Sequence, residues 1–461
     1  MKTSRRWGRG LYSQARVATL HAPAMSHPVT DVAALGRRWY ARIGLGDMPA
    51  LEHEGFRLLW RAQMVSLIGT TMHNAAVLWH VAILADSGHR AIALGLLGLA
   101  RAVPLLGLAL IGGVACDRFD RRKVMLVTQS VLGGLAALLA ILTITGTASL
   151  LWLYAITALK AAATAFDSPA RSSLMPRLVP REHLPNAVSL NTTLFQVTSL
   201  VGPALTGILL ICSDLSWIYA LNALSFVAVI QALARIKPLP RIVSDARVRG
   251  SVFEGLGYIF ANPLVRSSTL LDFFASFFGS ATVLLPIFAA EVLQVGSVGF
   301  GCLCAAPSVG AVTASFLLLR LESRIERRGV LLLWSIGGYG IATILFGLST
   351  TFVMALICLA ATGACDTINM VLRNVIKQLA TPDALRGRMN GAQILFAQGG
   401  PQLGELEAGI AAQAMGAPLS VIGGGLGCLA ITAWIAWMSP ELRRCGSMKA
   451  PAASPAMSRA A

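Results

Sequence analysis

Arg118-Phe-Asp-Arg-Arg-Lys-Val124 and Arg324-Ile-Glu-Arg-Arg-Gly-Val330 are one short basic connection written twice, 206 residues apart. Each follows the second of a series of long apolar stretches. Other features return at nearly the same interval: Asp167 is answered by Asp366, and Gly202-Pro203 by Gly400-Pro401. Self-similarity at a fixed spacing signals structural repeats. Here it predicts two parallel six-helix halves with a site between them, a transporter's plan.

Working outward from these connections, a bilayer-crossing helix needs ~20 mostly apolar residues. Twelve stretches qualify: Phe56–Ala85, Ala91–Val114, Val124–Thr145, Leu150–Phe166, Ala187–Cys212, Leu215–Ala234, Thr269–Leu293, Val298–Leu319, Val330–Leu348, Phe352–Leu372, Met389–Met415 and Pro418–Met438. None shows the alternating ten-residue pattern of a membrane barrel. The expected fold class is therefore all-α integral membrane. The expected organisation is a disordered cytoplasmic tail over 1–54, a six-helix bundle over 55–236, and a cytoplasmic linker over 237–266 with an amphipathic piece near Phe253–Phe260. A second bundle over 267–439 and a disordered tail over 440–461 complete it.

Composition agrees. Hydrophobic residues make up 55% of the 461 and charged residues only 13%, where a soluble domain carries about 25% charged. The net charge of +17 could suggest nucleic acid, but the basic clusters lack the interleaved aromatics of a single-strand-binding surface. Their placement is topological. Of the 38 Lys and Arg, 33 fall on one side of the twelve spans, which puts both termini in the cytoplasm. Eight scattered cysteines form no framework, and Cys302-Leu-Cys304 lacks the usual metal or redox spacing. No hydrolase elbow, zinc-protease motif or phosphate loop is present, so neither an enzyme, a metal site, a cofactor nor an ATP-driven pump is expected.

Gly113-Val-Ala-Cys-Asp117-Arg118-Phe-Asp120-Arg121-Arg122 resembles the signature loop of the major facilitator superfamily, Gly-x-x-x-Asp-Arg-x-Gly-Arg-Arg/Lys. The resemblance covers roughly residues 55–440. Asp120 departs from the general Gly, and with Phe166-Asp167-Ser-Pro169-Ala-Arg171 and the residues to Ala187 it is similar to the enterobactin-exporter-like, drug-efflux branch. The resemblance implies a cytoplasmic gate made by Gly113, Asp117, Arg118, Arg121, Arg122, Asp167 and Arg171, with Arg324, Arg327 and Arg328 in the second half. An anchoring role for the same charges is the plainer alternative. Asp167 and Arg171, four apart, can pair if the fourth helix continues that far. Ser189, Thr198, Gly202-Pro203 and Thr206-Gly207 match a weakened antiporter motif, Gly-x8-Gly-x3-Gly-Pro-x2-Gly-Gly, in which Gly202, Pro203 and Gly207 allow a bend and close packing.

Charges within spans are the remaining candidates, since each is costly unless paired or hydrated. Arg101 could bind an anionic substrate or hold a carboxylate. Asp272 is a proton carrier or a partner of Arg266. Glu405 and Glu407, two apart, point to nearly opposite sides, so at most one of them faces the lumen. Lys160 could neutralise one of these acids, and His73 and His80 share a face. The resemblance implies alternating access and export of a small amphiphile (a drug, siderophore or other metabolite) in exchange for protons. The expected setting is a bacterial inner membrane, with lipid as partner and the chain a monomer. An uptake carrier of the same fold and a non-transporting membrane sensor are the rival readings.

Overall fold

A computed structural model describes residues 48–236, 252–321, 327–381 and 383–444. The tails at 1–47 and 445–461, linker residues 237–251, and Arg324 lie outside these. Of Gly113, Asp117 and Arg118 only the helical backbone is described.

Twelve long helices run in chain order. They are α1 (Glu54–Leu84), α2 (Arg90–Arg118), α3 (Arg121–Ile144), α4 (Leu150–Leu174), α5 (Leu184–Cys212) and α6 (Leu215–Arg235) in the first repeat. The second repeat holds α7 (Pro263–Val292), α8 (Gly296–Leu321), α9 (Arg328–Gly347), α10 (Phe352–Ala380), α11 (Asp383–Met415) and α12 (Ala417–Met438). Large apolar side chains cover the outside. Val103 is 63% exposed and Trp334 72%, a surface only lipid can satisfy. Trp152, Trp217, Trp434 and Trp437 stand exposed near helix ends, where indole rings sit at the lipid–water boundary.

Among the described residues, eleven of the twelve are apolar enough to cross a bilayer by composition, and α11 is the exception. Gln398, Gln402, Glu405 and Gln413 break its apolar run. The packing explains why this is tolerated: α11 lies against both α2 and α7, so its polar side meets protein rather than lipid.

The structure differs from the sequence expectation in four places. First, α4 and α10 each run eight residues past their expected ends, where the Asp167–Arg171 and Asp272–Arg373 pairs tie their last turns into the bundle. Second, α7 is broken: an α-helix to Phe278 gives way to a 3-10 turn at Ala281–Leu284 and a π segment at Phe288–Val292. Gly279 and Ser280 interrupt the ladder, and one side chain holds a freed carbonyl while another ties the break to α11. Tyr339 Oη donates to the Gly279 carbonyl at 2.7 Å, and Ser280 Oγ to the Pro401 carbonyl at 3.0 Å. Third, Pro49–Glu52, expected within the tail, forms a 3-10 turn whose Ala50 amide donates to Asn186. Fourth, Pro440–Arg444, expected within the disordered tail, forms a short helix; the amphipathic piece stands as expected, a helix (Val252–Ala261) docked by Tyr258 Oη on the Ala380 carbonyl at 2.6 Å.

Candidate functional site

The two repeats meet along α2–α11 and α5–α8, and glycine makes the approach possible. A Cβ on Gly95 of α2 would fall 2.9 Å from the Gly409 Cα of α11; one on Gly207 of α5 would fall 2.9 Å from the Gly301 Cα of α8. Real Cβ atoms do not come so close, so backbone touches backbone at both seams. These contacts lie toward the end of the molecule opposite the Val252–Ala261 helix. The same end carries an Arg90–Glu291 ion pair, a Gln413 amide donating to the Gly88 carbonyl, and Trp79 packed on Phe300 at 5.0 Å. The repeats are therefore closed on each other there. Among the polar residues in these contacts, sequence reasoning singled out none. The signal it passed over was the interval: Gly95 and Gly301 stand 206 apart, as Arg118 and Arg324 do.

At the middle of the helices Arg101 of α2 meets Glu405 of α11. One guanidinium nitrogen donates to both carboxylate oxygens at 3.1 Å, and both side chains are largely buried. Of the two expected roles, Arg101 fills that of holding a carboxylate. Gly98, whose Cβ would lie 2.6 Å from that of Glu405, leaves room for the acid beside α2. Among the described residues no acid pairs with Lys160, contrary to expectation. Its Nζ donates to Asn74 Oδ1 of α1 at 3.4 Å, and α4 packs chiefly on α2 and α3. His73 and His80 are both buried against Tyr219; His80 Nδ1 lies 3.1 Å from its hydroxyl, while His73 meets the ring edge. Glu407 is on the other side of α11 from Glu405, in an open groove with Phe277, Leu403, Leu406 and Ile410.

At the opposite end, charges tie helices together within each repeat. Fully buried Asp167 pairs with Arg171 on α4, as the four-residue spacing predicts, and accepts from Thr128 Oγ1 and Gln129 Nε2 of α3 at 2.8 Å each. Asp120, at the position where the general signature has Gly, is the N-cap of α3 and accepts from the Arg122 amide at 3.0 Å. Arg122 caps the far end of α6, donating to the Leu233 and Ala234 carbonyls at 2.6 and 2.8 Å. That is the favoured place for a cation on a helix dipole. Arg121 is half-buried, and Arg327 and Arg328 begin α9. In the second repeat Asp272 pairs with Arg373 of α10 and accepts from Asn369 at 3.3 Å. Arg266 is not the partner of Asp272, because α7 packs this face on α10. One turn beyond Arg373, Lys377 is buried with no hydrogen bond from its Nζ.

Gly202 packs on α1, where a Cβ would meet Thr71 Oγ1 at 1.9 Å. Gly400, its counterpart in the repeat, packs on α7 at Phe273. α5 runs unbroken from Leu184 to Cys212 with Pro203 inside.

Two six-helix repeats, touching through glycine at one end and joined by an ion pair at the middle, define a major facilitator transporter. Solved structures agree on the fold. A bacterial homologue of the human lysosomal transporter Spinster, inward-facing and unoccupied, superposes with a TM-score of 0.68 at 15% identity, covering 86% of this chain and 98% of that one. A D-xylose–proton symporter gives 0.65 at 14% identity, covering 86% and 98%. The chain belongs to the transmembrane secretion effector family, matched over residues 46–457. It is 27% identical to the enterobactin exporter EntS of Escherichia coli O127:H6 over 398 residues, 85% of this chain and 93% of that protein. The EntS of Shigella boydii serotype 18 matches to the same extent. Fold and relatives are those of transporters rather than enzymes.

Proposed function

We propose that this chain exports a small amphiphilic molecule (a drug, siderophore or other metabolite) across a bacterial inner membrane by alternating access, in exchange for protons. The observation that carries the reading is the Arg101–Glu405 pair, which bridges the two repeats at the middle of the membrane. A carboxylate there can release the guanidinium when protonated, and so couple proton binding to separation of the halves. The closed end, with Arg90–Glu291 and the glycine seams, is then the outer mouth, and the end bearing the Val252–Ala261 helix and both termini is cytoplasmic. The inner charge clusters around Asp167 and Arg122, with the signature loop, form the gate that closes when the outer mouth opens. The 27% identity to enterobactin exporters over most of both chains supports outward transport, and the weakened antiporter motif on α5 supports proton exchange. The chain acts as a monomer with lipid as its only standing partner.

Inside-out vesicles with an acidic lumen and a pH-sensitive dye test this directly. A panel of amphiphilic drugs and iron-free siderophores is added with and without the protein. We expect at least one compound to collapse the gradient only when the protein is present, and Glu405→Gln to abolish that collapse. A gradient that stays intact while the same compounds accumulate without it would overturn proton antiport.

A further inference from the structure

Two cations and one carboxylate share the middle of the transporter. Arg101 spends its charge on Glu405. Lys160 has only the neutral amide oxygen of Asn74, at the long end of hydrogen-bond distance, and it lies within electrostatic range of Arg101. The space it faces is interior. Val65 and Ile83, the two most exposed apolar side chains of α1, stand nine residues before and after Asn74, which is half a turn around a helix of 3.6 residues per turn. Exposed Asn74 therefore points away from lipid, into the space between the repeats, and the Lys160 ammonium points there with it. An ammonium at this depth without a counter-charge is costly, and the residues described around it supply none.

We infer that this chamber binds the anionic head of the transported molecule: a carboxylate-bearing amphiphile pairs with Lys160 and takes Arg101 from Glu405. The inference rests on the export reading above and names its substrate class. The geometry suits an exchange, because a single guanidinium nitrogen holds Glu405 and an incoming carboxylate has a free second cation to add. Displacing Glu405 removes the link between α2 and α11 at this level, so an anion loosens the seam that a neutral or cationic molecule leaves tied.

The test uses the full chain in nanodiscs of phosphatidylcholine and three probes with one apolar body: 2-naphthylacetate, 2-naphthylacetamide and 2-naphthylethylammonium, each titrated calorimetrically. We expect the acetate to bind roughly tenfold more tightly than the other two, the scale of a charge-assisted hydrogen bond. Lys160→Gln should erase that preference and Lys160→Arg restore it. Glu405→Gln should tighten acetate binding severalfold, because the competing carboxylate is gone. Equal binding of the three probes, or weaker acetate binding in Glu405→Gln, overturns the inference. Adding phosphatidylglycerol separates a transported anion from a lipid headgroup: unchanged acetate binding supports the former, and its loss overturns it. Thr70→Cys, one turn before Asn74 on the same face of α1, reports on the carrier itself in a cysteine-free background. Labelling that alternates between faces while acetate fails to bind sinks the anion site alone, and labelling that never alternates sinks the carrier reading with it.

Discussion

Asp167 shows how one buried carboxylate does structural work at the end of a membrane bundle. Its oxygens are shared among Arg171, Thr128 and Gln129, so it clamps α3 to α4 and neutralises its own helix neighbour. Removing it strands a guanidinium and two donors. Asp167→Ala should cost about 3 kcal/mol, the scale of breaking a buried pair, while Asp167→Asn should cost less because its oxygen still accepts from Thr128. Thermal unfolding in detergent measures both, and wild-type stability in the Ala variant would contradict the assignment. This pairing was legible because four residues on one helix fix a distance. The partner of Asp272 was not: Arg373 lies 101 residues away, on a helix whose rotation only the packed bundle sets, whereas Arg266 was merely close in sequence. The same holds for Lys160 and Asn74.

Among elements, unbroken apolar runs located eleven of the helices, because a bilayer imposes length and composition together, and α11 was found despite its polar positions. The ends of α4 and α10 escaped that reading, since their last turns are polar yet stay helical against neighbours. The break in α7 was written in Gly279-Ser280 and Pro286, but glycine and proline also occur inside unbroken membrane helices, as Pro203 does in α5, so the residues alone do not decide. The α5–α8 seam makes a sharper prediction. Gly207→Val adds bulk where the Gly301 backbone stands, wedging the repeats apart at that end. Spin labels at Ser213 and Gln294, flanking the two helices, should show their distance distribution move to longer values. An unchanged distribution would mean the seam is not what holds this end shut.

For the whole molecule, the two seams are one feature repeated. Gly95 corresponds to Gly301 and Gly207 to Gly409, at intervals of 206 and 202, so each contact pairs unlike positions of two like halves, as a pseudo-twofold axis requires. That symmetry was present in the sequence, but only the contact says which glycines matter. Closure at this end also includes Arg90–Glu291, whose side chains are 23% and 48% exposed. A pair that wet contributes at most about 1 kcal/mol. Glu291→Gln should therefore shift the open-to-closed population no more than roughly fivefold, an effect that rising salt reproduces in the wild type. Accessibility of a cysteine at Trp79 follows that shift, and a far larger change would give the pair a role the glycine seams do not have.

Glu291 sits in the π segment beyond the break, whereas Asp272 sits before it. α7 is thus two mechanical parts: a shaft anchored to α10 and a short upper segment that carries one half of the Arg90–Glu291 latch. That second part is wedged into the apolar core by Val283, Leu284, Leu285 and Phe288, so the latch stands on a fixed post: undoing it calls for a half of the molecule to move as a body, not for one loop to lift.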